Sequence, residues 1–345
     1  MPTPLEQKIK FAVVGCGHIG KRHAEMIQRH PECELVALCD TRPKGALGIE
    51  VLDAPFFTDL DAMLAAVPGI EVVNICTPNG LHAEQSIKAL EARKHVVCEK
   101  PMALTRASGE AVIHTALRMH RTVFGVMQNR YSPPSQWIKG VVDQGLLGDI
   151  HLVQVNCYWN RDARYYKAGT WKGSSDLDGG TLFTQFSHFI DILYWLFGDI
   201  SEIEGRFADF AHQDLTAFED TGIVSFRLRN GGMGCINYST AVWDKNLESS
   251  MTIIGSKGSV KIGGQYMDQV EHCHIAGYSM PELAPTNPAN DYGAYKGSAN
   301  NHGFIIENVV DTLKGRTTLT TNALEGLKVV EIIERIYEKR DEQPV

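Results

Sequence analysis

Two textures of hydrophobic patterning divide the chain. Up to Gln128, short unbroken apolar runs alternate with stretches of helical period. The runs Ile9–Val14, Glu34–Asp40, Val72–Cys76, His95–Glu99 and Val123–Gln128 predict strands. Lys21–Arg29, His82–Ala92 and Thr105–His120 predict helices. Strands apolar on both faces suit a parallel sheet covered by helices on both sides, so this half is expected to be a doubly wound parallel sheet.

After Asn129 the pattern changes to period two. A helix over Pro134–Gln144 is followed by alternating runs at His151–Trp159, Glu202–Phe210, Thr221–Arg229, Gly234–Thr240, Ser250–Gly255 and Gly258–Ile262. Turn residues at Arg229-Asn230-Gly231-Gly232 and Gly255-Ser256-Lys257-Gly258 suit hairpins. One strongly apolar helix, Phe183–Phe197, interrupts the strands. Pro281–Asn301 reads as a long loop, and Asn301–Leu313 and Ala323–Arg340 as closing helices. The expectation is an α/β chain of two domains. Residues 1–128 form the doubly wound domain; 129–345 form a second domain on a large, open, mostly antiparallel sheet. The sheet's second face must be solvated or covered, and a copy of itself would make a homodimer or homotetramer.

Composition narrows the class. The 345 residues are 43% apolar and 21% charged, with formal net charge −8. That balance argues against a nucleic-acid partner, which needs clustered Lys and Arg. No apolar run approaches the ~18 residues of a membrane span. The polar stretch Met1–Lys10 does not read as a signal peptide. None of the eight cysteines forms a CxxC pair, which suits free thiols and a cytoplasmic protein. His272, Cys273 and His274 lie together, but neighbours on a strand point to opposite faces, so no metal is expected.

Gly15-Cys16-Gly17-His18-Ile19-Gly20 follows a strand and opens a helix, and Asp40 ends the next strand 20 positions past Gly20. In such a loop the first glycine permits the turn, the second admits a pyrophosphate, and the third lets helix and sheet approach. The helix start offers N–H groups to phosphate. Asp40 would accept from ribose hydroxyls and repel a 2′-phosphate, favouring NAD; Arg42, after Thr41, complicates this because it could pair with that phosphate. Ligands of open α/β sheets lie beyond the strands' carboxyl ends. Two such ends are Cys76-Thr77-Pro78-Asn79-Gly80-Leu81-His82 and Cys98-Glu99-Lys100-Pro101, with Lys100 placed where a surface lysine is poorly explained. Farther on, His188 and Asp191 share a face of the apolar helix, and such a polar pair needs partners.

These motifs together make the chain resemble the Gfo/Idh/MocA oxidoreductases over nearly its whole length. The carriers are Gly15–Gly20, Thr77–His82, His95–Pro101, Asn129-Arg130-Tyr131-Ser132-Pro133, and Gly179-Gly180 leading to His188 and Asp191. The resemblance implies a Rossmann domain, an open sheet that often builds oligomers, and Lys100 with His188 as catalytic pair. The expected cofactor contacts are Gly15, Gly17, His18, Ile19, Gly20, Asp40, Thr41, Arg42, Thr77, Pro78, Asn79, His82, Glu99 and Lys100. One departure matters: many members have an Asp four residues before this His, where this chain has Thr184, with Gln185 and Phe186 beside it. Neither Thr184 nor Gln185 can act as a carboxylate base.

Oxidising a secondary alcohol requires the C–H to face the nicotinamide, the hydroxyl proton to leave and the developing oxyanion to be stabilised. The expected division of labour has His188 taking the proton, Lys100 stabilising the oxygen and Asp191 fixing the His188 tautomer, with the two domains converging on one carbon. Tyr158-Trp159-Asn160-Arg161-Asp162-Ala163-Arg164-Tyr165-Tyr166-Lys167, followed by Trp171-Lys172-Gly173, gathers cations and aromatics suited to an anionic sugar. Expected substrate contacts are Lys100, Arg161, Arg164, Tyr165, Trp171, Thr184, Gln185 and His188. Within the family, this stretch and Gly179–His188 look most like the nucleotide-sugar 3-dehydrogenases, which oxidise UDP-N-acetylglucosaminuronate for bacterial surface polysaccharides. Alternatives are an inositol or free-sugar dehydrogenase, a glycosidase using transient C3 oxidation on NAD, and a redox-silent binding protein.

Overall fold

The computed structural model describes residues 7–342 apart from 168 and 294. The reading of Met1–Lys10 therefore lies largely outside the described residues. The chain forms two compact units. The first runs to Val126 and includes His302–Val330; the second holds Met127–Asn301 and the residues from Glu331 on.

In the first unit, strands β1 (Ile9–Val14), β2 (Cys33–Cys39), β3 (Phe56–Phe57), β4 (Val72–Ile75), β5 (His95–Cys98) and β6 (Val123–Gly125) make one parallel sheet in the order β3-β2-β1-β4-β5-β6. This is the expected doubly wound sheet, and its order reverses between β1 and β4, where such folds bind ligands. Register is set by pairs such as Phe11↔Val72 and Ile75↔Cys98. Every β4 residue is buried, which is why the sequence runs apolar there without alternation. Four helices join the strands: α1 (His18–Arg29), α2 (Leu60–Ala66), α3 (His82–Glu91) and α4 (Arg106–Met119). Helix α1 buries Gly20, His23, Ala24 and Ile27, one stripe at helical spacing. Helices α2 and α4 start on side-chain caps, Asp59 to Ala62 N–H and Thr105 to Ser108 N–H.

The second unit begins with α5 (Pro133–Asp143), β7 (Ile150–Tyr158) and α6 (Ser187–Phe197). Strands β8 (Ile200–Ala208), β9 (Thr221–Leu228), β10 (Met233–Ser239), β11 (Glu248–Gly255), β12 (Gly258–Gly263) and β13 (Gln269–Ile275) follow. With β7 they make a seven-stranded sheet, β13-β12-β11-β7-β10-β9-β8. It is antiparallel except where β10 pairs with β7, so the mostly antiparallel sheet is borne out. The inner face packs Val153, Val155, Val224, Ile236 and Ile253, all buried. Trp159 meets Phe186 and Phe189 edge-on at 5.4 and 5.8 Å, joining the strand end to α6. On the outer face Ile223, Met233 and Ile254 are exposed.

The segment expected to be one long loop carries a small hairpin, β14 (Ala289–Asp291) with β15 (Lys296–Ala299). Helices α7 (His302–Leu313) and α8 (Ala323–Asp341) close the chain. The expected boundary placed everything after Asn129 in the second domain, whereas α7 and the start of α8 belong to the first unit. The cause is visible in bonds: Gly125 N–H donates to Thr321 O at 3.0 Å, and Arg316 pairs with Glu32 at 2.6 Å. Among the described residues no helix is long and apolar enough to cross a membrane. All eight cysteines are free thiols.

Candidate active site

The glycine loop of the first unit is shaped by contacts that only glycine tolerates. Gly15 has φ +86°, and a Cβ there would lie 2.6 Å from the Cys76 backbone. A Cβ on Gly20 would sit 1.8 Å from Gly15 O. A Cβ on Gly17 would meet nothing closer than Arg42 Nη2 at 4.0 Å, so that position keeps an open approach. No side chain caps α1 at Gly17 and no acid occupies its first turn, a helix start that attracts phosphate. A cavity of about 220 Å³ lies there, lined by Cys16, Gly17, His18, Lys21, Arg42, Ala46 and Leu47.

Asp40 bonds two residues that line this cavity, Cys16 and Arg42. Its carboxylate accepts from Cys16 N–H at 2.8 Å and from Arg42 Nε and Nη2 at 3.1 and 3.0 Å. Burial works against the charge, but the Arg42 bonds outweigh it and hold the carboxyl below its ordinary pKa. Arg42, which the sequence left as a candidate for a 2′-phosphate, is engaged by Asp40. Thr41 is exposed beside it. These residues fit a dinucleotide: the open glycine and helix start for the pyrophosphate, Asp40 for the ribose.

The ends of β4 and β5 are tied together. The fully buried His82 ring places Nε2 2.8 Å from Thr77 O and Nδ1 2.7 Å from Pro101 O. Burial lowers its pKa against those two carbonyls. Thr77 Oγ1 donates to Gln85 Oε1 at 2.6 Å, and Asn79 is buried after Pro78. Lys100 is half-buried, and its N–H donates to Glu99 Oε2 at 3.2 Å; the Lys100–Pro101 peptide is cis. Glu99 is itself buried between two imidazoles, His23 Nε2 at 2.9 Å and His302 Nε2 at 3.4 Å. Burial raises the cost of its charge, yet the two histidines hold its pKa well below the ordinary range. His23 and His302 were not anticipated; His302 arrives from 203 residues downstream of Glu99, and no local pattern announces it.

In the second unit, Leu182–Phe186 form a π-helical turn that leads directly into α6. Such turns are enriched at functional sites. His188 is buried on the first turn of α6, and Gln128 Nε2 donates to its Nε2 at 3.3 Å. The carboxylate of Asp191, expected to orient His188, accepts from the buried guanidinium of Arg130, Nε to Oδ2 at 2.8 Å and Nη2 to Oδ1 at 2.6 Å. Thr184 donates its hydroxyl to the buried Asp178, which also accepts from Gly173 N–H at 2.8 Å. With its proton given away, Thr184 Oγ1 presents an acceptor.

The cation-rich stretch splits in two. Arg164 is exposed and forms surface ion pairs with Asp162 and Asp244 at 2.8 and 3.3 Å. Arg161 is buried. Its Nε donates to Gln185 Oε1 at 2.7 Å, and its guanidinium faces the Trp159, Tyr165 and Tyr295 rings at 4.7, 5.1 and 5.0 Å. Gln185 in turn donates to Tyr165 Oη at 2.8 Å. Trp171 is half-buried, and Lys172 sits 3.7 Å over the Tyr165 ring.

Comparison with known proteins identifies the family. Residues 9–126 match the model of the oxidoreductase family with an NAD-binding Rossmann fold, GFO_IDH_MocA, and residues 135–261 match its C-terminal domain. The WlbA dehydrogenase from Chromobacterium violaceum, solved with NADH and UDP-GlcNAcA, is 34% identical; the match covers 99% of this chain and 97% of that one at TM-score 0.88. The WlbA dehydrogenase from Bordetella pertussis, with the same ligands, is 33% identical over 98% and 100% at TM-score 0.86. A myo-inositol 2-dehydrogenase from Thermotoga maritima is 26% identical over 73% of this chain and 74% of its own length.

Proposed function

Because this chain belongs to the Gfo/Idh/MocA family of NAD-dependent oxidoreductases, we propose that it oxidises a secondary hydroxyl of an acidic nucleotide sugar, C3 of UDP-N-acetylglucosaminuronate. The observation that supports this substrate most is the end-to-end similarity to the two WlbA enzymes crystallised with UDP-GlcNAcA. Such a step belongs to surface-polysaccharide synthesis. When bound, NAD supplies the hydride acceptor.

The chain's own residues do the rest. Gly15, Gly17 and Gly20 with the start of α1 hold the pyrophosphate, and Asp40 the ribose. His188, buried and held by Gln128, takes the hydroxyl proton. Lys100, its backbone pinned by Glu99, stabilises the developing oxyanion. Thr184 accepts from a sugar hydroxyl, and Asp191 keeps Arg130 in place under α6. The outer sheet face, with Ile223, Met233 and Ile254 exposed, carries self-association into dimers or tetramers.

The test is a substrate panel on the NAD-loaded protein, read by NADH absorbance at 340 nm and by thermal shift. UDP-GlcNAcA is expected to raise the melting temperature by mass action and to support turnover. If myo-inositol or simple glucosides do both and UDP-uronates do neither, the nucleotide-sugar assignment fails.

A further inference from the structure

Two cations of the second unit are enclosed without an acid of their own. Among the described residues, no carboxylate lies at ion-pair distance from Arg161 or Lys172. Arg161 has four neutral acceptors: Gln185 Oε1 at 2.7 Å, Asn160 O at 2.6 Å, Asn246 Oδ1 at 3.2 Å and Lys296 O at 3.1 Å. Among the described residues Lys172 Nζ has one oxygen partner, Tyr295 Oη at 3.3 Å, and it lies over the Tyr165 and Tyr295 rings at 3.7 and 4.8 Å. The same two rings face Arg161 at 5.1 and 5.0 Å, so both charges look into one aromatic frame.

Aromatic faces stabilise a cation only modestly, and burying a charge without a counter-ion costs more than desolvated cation–π contact returns. A sequence under no other demand would place apolar residues here. The frame is also next to the proposed chemistry: Arg161 grips Gln185, three residues before His188. Arg161 has most of its N–H groups committed, whereas the Lys172 ammonium keeps donors to spare.

We propose that Lys172, backed by the field of Arg161, is the receptor for an anionic oxygen group of the substrate, a carboxylate or a phosphate. This deepens the nucleotide-sugar reading and rests on it for the identity of the anion's carrier. Electrostatics around Lys172 agree. Burial, then Arg161 and Lys167, pull its pKa down to about 8, with Asp178 opposing. Tyr165, Tyr166, Tyr292 and Tyr295 supply the remaining ionisable groups around the frame. A bound anion would restore the proton, so binding near pH 8 takes up protons.

The test compares wild type, Lys172→Met and Lys172→Arg by calorimetry, in buffers of different ionisation enthalpy, and by kinetics. The ligands are UDP-GlcNAcA, UDP-GlcNAc, a free hexuronic acid and myo-inositol. Lys172→Met is expected to raise KM for UDP-GlcNAcA at least tenfold with kcat changed less than threefold, and to abolish proton uptake. Lys172→Arg, still charged, is expected to keep the low KM and lose the weakening above pH 8. If the deficit persists with UDP-GlcNAc, the anion is the diphosphate; if it persists with the free acid and vanishes with UDP-GlcNAc, it is the carboxylate. Unchanged affinity and proton uptake in a folded Lys172→Met enzyme that still turns over UDP-GlcNAcA overturn this inference alone. Lys172-dependent activity on a different anionic sugar overturns only the UDP-uronate reading, and wild-type activity confined to neutral sugars overturns both.

Discussion

Arg130 and Asp191 meet in a two-point ion pair, 2.8 and 2.6 Å long, with both side chains sealed from solvent. Removing one partner of such a pair strands a buried charge, which costs about 3–5 kcal/mol. Asp191→Asn is therefore expected to lose about that much in urea unfolding. Pairing it with Arg130→Met should recover part of the loss, because the two changes couple. A near-zero effect of Asp191→Asn on stability would return Asp191 to the purely catalytic role that its spacing from His188 suggests.

His188→Ala and Lys100→Ala are each expected to slow hydride transfer at least 10²-fold, the lower end for a general acid–base group. NADH affinity, followed by fluorescence, should change little in His188→Ala. Gln128→Leu, which removes the amide 3.3 Å from His188 Nε2, should lower kcat more than it raises KM. Wild-type turnover in both His188→Ala and Lys100→Ala sinks the mechanism.

Gly20→Ala would drive a methyl to 1.8 Å from Gly15 O. Overpacking of this kind costs about 1–3 kcal/mol, and here the backbone that must yield is the cofactor loop itself. The expected result is at least tenfold weaker NADH binding with a lowered melting temperature. Gly17→Ala, with open space at its Cβ, should fold normally and lose only cofactor affinity.

Lys172 makes a prediction of unusual sign. Its folded pKa of about 8 lies below the ordinary lysine value of 10.5, so between those two the unfolded chain binds more protons. Stability contributed by this group therefore rises with pH across that window, and below it the lysine destabilises the fold. Lys172→Met should accordingly melt higher than wild type at pH 7, with the gap closing as pH approaches 10.5. Parallel melting curves across that range would show that the lysine titrates normally. A residue whose removal helps the fold while harming binding follows the usual trade between stability and function.

What could be read from the residues followed physical range. The parallel sheet and the mostly antiparallel second sheet rest on local period and turn chemistry, and each is borne out. The π-helical turn at Leu182–Phe186 fell within the helix read over Phe183–Phe197, because apolar period does not separate a five-residue π turn from the α-helix it joins. The β14–β15 hairpin hid in a stretch whose Pro, Asn and Gly read as loop. Partners distant in sequence were invisible: His302 on Glu99, Arg130 on Asp191, Tyr295 beside Arg161. Two arginines three residues apart looked equivalent, yet Arg161 is enclosed by rings while Arg164 finds two surface acids.

The return of α7 and the start of α8 to the first unit has a consequence for synthesis. A nascent chain released as far as Gly125 has made all six strands of that sheet, but β6 still lacks Thr321, Glu32 lacks Lys314 and Arg316, and Glu99 lacks His302. The nucleotide-binding half is thus translated first and finished last. A stop codon placed after Asn301 should leave a ribosome product that captures chaperones and fails to retain dye or NADH columns, even with its entire glycine fingerprint present.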